Sequence, residues 1–163
     1  MDIIDTLQKE LRSEYETTKK FLEHYPDTKN DWKPHKKSMD MKTLAVHVVE
    51  IFAWPQTIMD TEFLDFAVTP YSQPEIKTKA ELQQKLENDY KKGAETLKNV
   101  TLAQLDGTWD IRQGAMVFQK WSKYGAIRHS LNQITHHRAQ LGVYYRLNDI
   151  FVPGSYGPSA DER

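Results

Sequence analysis

Residues Arg128 to Gln140 read RHSLNQITHHRAQ, and the spacing of the polar side chains in this stretch constrains the fold more than any other feature of the chain. At about 100° of turn per residue, a helix here brings His129, Gln133 and His137 into one row, each four residues from the next. Continued in both directions, the row passes through Ala126, Tyr144 and Leu147, with Ile134 and Leu141 at its flank. These neighbours are mostly apolar, so the helix turns its polar middle toward an interior. Buried imidazoles and amides need partners. A metal ion is one source, because side chains at i and i+4 can grip a single ion. The alternative is a hydrogen-bonded core histidine at His137, with His129 and His136 solvated.

This helix, from about Lys120 to Asn148, spans roughly 40 Å at 1.5 Å per residue and needs partners of similar length. Three are legible. Ile3, Ile4, Leu7, Leu11, Tyr15, Phe21 and Leu22 recur at helical spacing, which predicts a first helix from about Ile3 to Glu23. Asp40 can cap a second helix, on which Leu44, His47, Val48 and Ile51 share a face until Pro55 kinks or ends it. Thr78 and Glu81 form a capping box for a third helix that runs to about Asn99, with Leu82, Leu86, Tyr90 and Leu97 buried and Gly93 weakening it slightly. His47 is the one polar residue in the core-facing stripe of the second helix. Alone it reads as a satisfied core histidine; with the inward row on the last helix it reads as half of a shared site. Glu50 could orient such a site from behind, although an exposed carboxylate is the simpler role.

The remaining segments lack a helical period. Residues 24–40 read as a loop, with Trp32 and Pro34 packing over a bundle end; residues 60–76 read as a connection covering the bundle; residues 101–119, carrying Gly107 and Gly114, read as a long connection or a small hairpin. The Gly- and Pro-rich end, residues 149–163, reads as an extended tail along the surface. The expected fold is all-α, an antiparallel four-helix bundle with long crossover loops, in one domain over residues 1–163.

Composition narrows the chemistry. The chain has 22 Lys plus Arg against 23 Asp plus Glu, a net charge of −1 with no run of either sign, and so lacks the basic footprint of a nucleic-acid binder. It has no cysteine, which leaves nitrogen and oxygen as the donors for any metal. No apolar run approaches the roughly 20 residues that span a bilayer, and the expectation is a soluble, cytoplasmic protein without a membrane partner.

Four pieces of the sequence resemble the DinB-like (DNA-damage-inducible) superfamily of four-helix-bundle proteins. They are DWKPHKKSM before the second helix, LAVHVVE within it, HHRAQLGVYYRL in the last helix and VPGSYGPSADE in the tail, together distributed over about the whole chain. The resemblance implies a divalent metal, Zn or Ni, held by three histidines, one on the second helix and two spaced by four on the last in a pattern like H-x-x-H-H-R-G-Q. Placed on this chain, the pattern puts ligands at His47, Gln133 and His137, so that an amide stands where a histidine is expected; Ala139 replaces the glycine. An amide oxygen is a harder, weaker donor than an imidazole. Weak binding through Gln133, rescue by His129 or an empty site all follow as alternatives.

Two functions are compatible with these residues. One is a metal-dependent enzyme of thiol S-transferase or hydrolase type acting on a small molecule, with a thiol as one candidate substrate and Arg128, Tyr144 and Trp54 placed to line its pocket. The other is a non-catalytic, stress-associated helical bundle whose polar row is only a hydrogen-bonded core. The resemblance, with four Trp, eight Tyr and six Phe in the chain, also implies a homodimer.

Overall fold

Helix α1, Ile3–Glu23, starts where the Asp2 carboxylate accepts the free backbone N–H groups of Ile4 and Asp5. Its apolar stripe of Leu7, Leu11, Tyr15, Phe21 and Leu22 is buried. A computed structural model describes residues 2–69 and 71–163. Helix α2, Met41–Glu50, is capped by Asp40, whose side chain accepts from the Thr43 amide at 2.7 Å. It tightens into a 3-10 turn at Ile51–Ala53, and a new helix, α3, Trp54–Asp60, follows with Pro55 in its first turn. The proline thus opens a helix, where its missing N–H costs nothing, and α2 ends just ahead of it.

Helix α4, Lys79–Asn99, begins with the Thr78–Glu81 capping box. Leu82, Leu86 and Leu97 are buried, whereas Tyr90 is half-buried and stacks on Tyr15 of α1 at 4.0 Å between ring centroids. A short turn of helix, α5, Leu102–Leu105, leads to the strands, and α6, Lys123–Arg146, closes the set. Helices α1 and α2 each pack against both α4 and α6, around one continuous apolar cluster. Among the described residues no helix is long and apolar enough to cross a membrane.

The expectation of an all-α chain is corrected by a three-stranded sheet in the order β1-β2-β3. Strand β2, Thr108–Gln113, and β3, Met116–Ser122, form an antiparallel hairpin, and β1, Phe63–Asp65, runs parallel to β2 with Leu64 opposite Ile111. The hairpin turns at Gly114, whose φ of 57° suits a residue without Cβ, and the Gly114 amide donates to Asp65 Oδ1 at 2.9 Å. Three residues are too few to show an alternation, so β1 exists only because Asp65 and the β2 edge capture it. Trp109, buried on β2, donates from Nε1 to Thr61 Oγ1 at 2.9 Å, and Lys123 Nζ donates to the carbonyls of Met59 and Thr61. These bonds tie the end of α3 to the sheet. Because β3 takes Lys120 to Ser122, the last helix starts three residues later than its periodicity suggests, with Ser122 as its cap, and ends at Arg146 rather than Asn148.

The tail is a closed loop rather than an extended strap. Asp161 accepts from the Val152 amide and pairs with Arg146, while Glu162 accepts from the amides of Gly154 and Ser159. Trp32, from the loop before α2, packs edge-on against Tyr144.

Gly93 has a reason its helix propensity does not reveal. A Cβ there would lie 2.2 Å from the carbonyl oxygen of Phe52, a backbone atom that cannot step aside. Gly93→Ala should therefore destabilise the protein by about 1–3 kcal/mol, although alanine is the better helix former by about 1 kcal/mol. Urea unfolding checks this; a rise in the midpoint would mean that α4 and the Ile51–Ala53 turn do not meet so closely.

Candidate metal centre

His47 of α2 and His137 of α6, both half-buried, meet where the two helices pack, their ring centroids 4.6 Å apart and their planes at 70°. Each ring is held by a second side chain one turn along its own helix. His47 Nδ1 lies 3.0 Å from Glu50 Oε1; a carboxylate only accepts, so Nδ1 carries a proton, and the neutral ring offers its lone pair at Nε2. Glu50 is in turn held by the Tyr71 hydroxyl, which donates to Oε2 at 3.2 Å. Nearness to Glu50 and burial both raise the Tyr71 pKa, burial being the larger cause, so the hydroxyl stays a donor at neutral pH.

On α6, Gln140 lies between two imidazoles. Its amide nitrogen is 3.1 Å from His136 Nε2 and its oxygen 2.8 Å from His137 Nδ1. That orientation places the His137 proton on Nδ1. Burial, the largest cause, pushes the His137 pKa below the ordinary imidazole value, and the charges of His47 and His136 add to this against the opposing Gln140 bond. A neutral ring with its proton on Nδ1 presents a bare lone pair at Nε2, which faces Gln133 Oε1 at 3.0 Å. With the proton on Nε2 and the Gln140 amide turned over this is an ordinary hydrogen bond, whereas with the proton on Nδ1 both atoms are acceptors. A cation relieves that contact, and so does rotation of the Gln133 amide to present its NH₂ group.

The three residues expected as ligands, His47, Gln133 and His137, are therefore brought near one another, with nitrogen and oxygen donors of the kind a divalent ion takes. Two imidazole Nε2 atoms and one amide oxygen are available, and the other nitrogen of each ring is already fixed by a partner, as metal-binding histidines require. Among the described residues no group of three or more His, Cys, Asp or Glu side chains is arranged to hold a metal. His129, the alternative donor one turn earlier, is engaged elsewhere: its ring stacks on Trp121 of β3 at 4.6 Å, and burial lowers its pKa. Farther along the row Tyr144 is buried, but Leu147 is 59% exposed, so the apolar continuation stops with the helix.

A cavity of about 700 Å³ opens beside His47 and Glu50. Its walls include Trp54, Leu64, Phe66, Tyr71 and Trp109, drawn from α3, the sheet and the segment between them. Of the residues placed there by helix geometry, Trp54 lines the cavity. Arg128 instead pairs with Glu10 of α1, and Tyr144 donates to the Met39 carbonyl. Tyr71 and Trp109 were not legible as site residues. Tyr71 sits in an aperiodic, proline-rich stretch, and Trp109 reaches the cavity only through the β1–β2 pairing; nothing local marks either one. Glu50 supports His47 rather than facing solvent freely, and its i, i+3 spacing from His47 was the signal.

Among curated proteins, none matches this sequence. The family model described as the DinB family matches residues 2–162. Two solved structures share the fold. A DinB-like protein from Bacillus cereus superposes with a TM-score of 0.74 at 18% identity, over 93% of this chain and 97% of that one. A DinB-like protein from Bacillus subtilis gives 0.68 at 18% identity, over 97% and 99%. At these identities the likeness concerns the fold alone. The family match over nearly every residue places the chain in the DinB family.

Proposed function

We propose that this chain is a metal-dependent enzyme in which His47, Gln133 and His137 hold a divalent ion at the middle of an antiparallel bundle of α1, α2, α4 and α6, and that its reaction is a thiol S-transfer or a hydrolysis on a small molecule. The observation that carries the reading is that Gln133 Oε1 lies 3.0 Å from His137 Nε2 while the His47 ring approaches the His137 ring to 4.6 Å between centroids. A divalent ion in that position lowers the pKa of a bound thiol or water and so supplies a nucleophile near neutral pH. The protein's own residues do the rest. Glu50 fixes the His47 tautomer, Gln140 fixes that of His137, and Tyr71 keeps Glu50 in place. The adjoining cavity, which His47 lines, gives a substrate a place beside that donor.

The third donor favours one further reading. If the Gln133 amide rotates and donates to His137 Nε2, the row closes as a hydrogen-bonded core, and the protein is a non-catalytic bundle. Calorimetric titration of the chelator-stripped protein with Zn²⁺ or Ni²⁺ separates the two. The enzyme reading expects one weak site per chain, lost in His137→Ala, and any thiol-transfer activity lost with chelator. Absence of a heat of binding at millimolar metal selects the closed core.

A further inference from the structure

The cavity beside the histidine pair has a chemical character that narrows what can occupy it. Trp54, Trp109, Phe66 and Leu64 supply ring faces and aliphatic carbon, and at 700 Å³ it lies within the range of sites that enclose a small organic molecule, about 300–1,000 Å³. Trp109 is buried, whereas Phe66 and Tyr71 remain 39% and 58% exposed. These exposed rings stand at the cavity rather than scattered over the surface, which is how an apolar ligand site looks when nothing fills it. The polar lining consists of His47, Glu50 and the Tyr71 hydroxyl, which are linked by hydrogen bonds, and the hydroxyls of Thr43, Thr57, Thr69 and Ser72. Among the described residues lining the cavity there is no Lys or Arg, and Glu50 is the one carboxylate. Both of its oxygens already accept a hydrogen bond, from His47 Nδ1 and from the Tyr71 hydroxyl.

This distribution decides the charge of the occupant. In the metal-free protein an anion brought into the cavity leaves water, meets no Lys or Arg and approaches the Glu50 carboxylate. A cation finds that carboxylate committed to His47 and Tyr71. Either charge loses hydration without a free partner, which is costly in apolar surroundings, whereas an uncharged ring system trades water for the tryptophan faces at no such loss. We infer that the cavity binds an uncharged, mainly apolar aromatic small molecule, with its one polar group turned toward His47 and Glu50. The inference deepens the enzyme reading above and rests on it in one respect: this molecule is the partner substrate that meets the nucleophile supplied at the metal donors. A polar thiol is not the occupant.

Fluorescence titration with matched probes tests the assignment on the full chain. N-phenyl-1-naphthylamine is uncharged, 8-anilinonaphthalene-1-sulfonate carries the same rings with an anion, and (1-naphthylmethyl)trimethylammonium carries a cation. The uncharged probe should bind one per chain, quench tryptophan emission, and bind at least tenfold more tightly than either charged probe. Thr57→Phe, which sets a ring into the cavity from α3, should weaken its binding tenfold or more while the thermal unfolding midpoint and the Zn²⁺ titration stay as in the unaltered protein. Thr43→Phe repeats the test from α2 should the first variant not fold. Equal binding of the three probes, or uncharged-probe binding untouched in a folded cavity-filled variant, would overturn the inference. Probe binding without any zinc binding sinks the metal reading and keeps the cavity assignment; zinc binding without probe binding does the reverse.

Discussion

Gln133→His is expected to tighten Zn²⁺ binding by a decade or more, and His47→Ala in that background to abolish the gain. The Gln133 oxygen already lies 3.0 Å from His137 Nε2, one helical turn away, so an imidazole at that position points at the same place. It replaces a hard, weak oxygen donor with a better one for zinc. One decade is only about 1.4 kcal/mol, a modest demand on such an exchange. The loss in the double variant follows from geometry, because two donors on one helix cannot complete a tetrahedral set without His47 from α2. Calorimetric titration of the three proteins measures both effects. Equal affinities for the unaltered protein and Gln133→His would show that the α6 row does not define a metal site, and the closed-core reading would then stand.

The second large effect lies one residue beyond the site. Arg138 is fully buried, and its Nη2 sits 2.6 Å from Glu14 Oε2 of α1, itself buried; the contact is an ion pair rather than a well-aligned hydrogen bond. Nη1 donates to the Glu14 carbonyl and to Thr18 Oγ1, and the Tyr156 hydroxyl bridges Arg138 and Glu14 from the tail. The network joins α1, α6 and the tail loop. Arg138→Ala leaves the Glu14 carboxylate buried and uncompensated, which should cost about 3–5 kcal/mol. Glu14→Leu with Arg138→Met removes both charges and should recover most of that loss, since a buried pair exchanged for apolar side chains is often neutral. Urea unfolding of the single and double variants gives the cycle. A loss below about 1 kcal/mol for Arg138→Ala, the range of exposed pairs, would show that water reaches the pair.

Arg138 also shows how unevenly the sequence reveals its own use. Its neighbours His136, His137 and Gln140 could be placed by helical spacing, yet nothing in HHRAQ says that the arginine turns to α1 while the adjacent histidine turns to α2. The choice is made by Glu14 and Thr18, more than a hundred residues away in the chain. The same holds at His129. Its spacing from Gln133 makes it as good a member of the row as His137, but the ring of Trp121 on β3 captures it. A strand that could only be read as a connection or hairpin therefore decides which histidines converge.

Local signals were enough to set the helices. Asp40 and the Thr78–Glu81 box mark two of their starts because capping side chains act within one turn, and apolar spacing shows which face each long helix buries. The composition likewise fixed the donor chemistry, since a chain without cysteine can offer only nitrogen and oxygen. What the tertiary structure alone decided is long-range: the three-residue strand β1, the burial of Trp109, the close approach that requires Gly93, and a cavity walled by three separate segments. Each depends on a hydrogen bond or contact between residues distant in sequence, and such pairings leave no period in the chain.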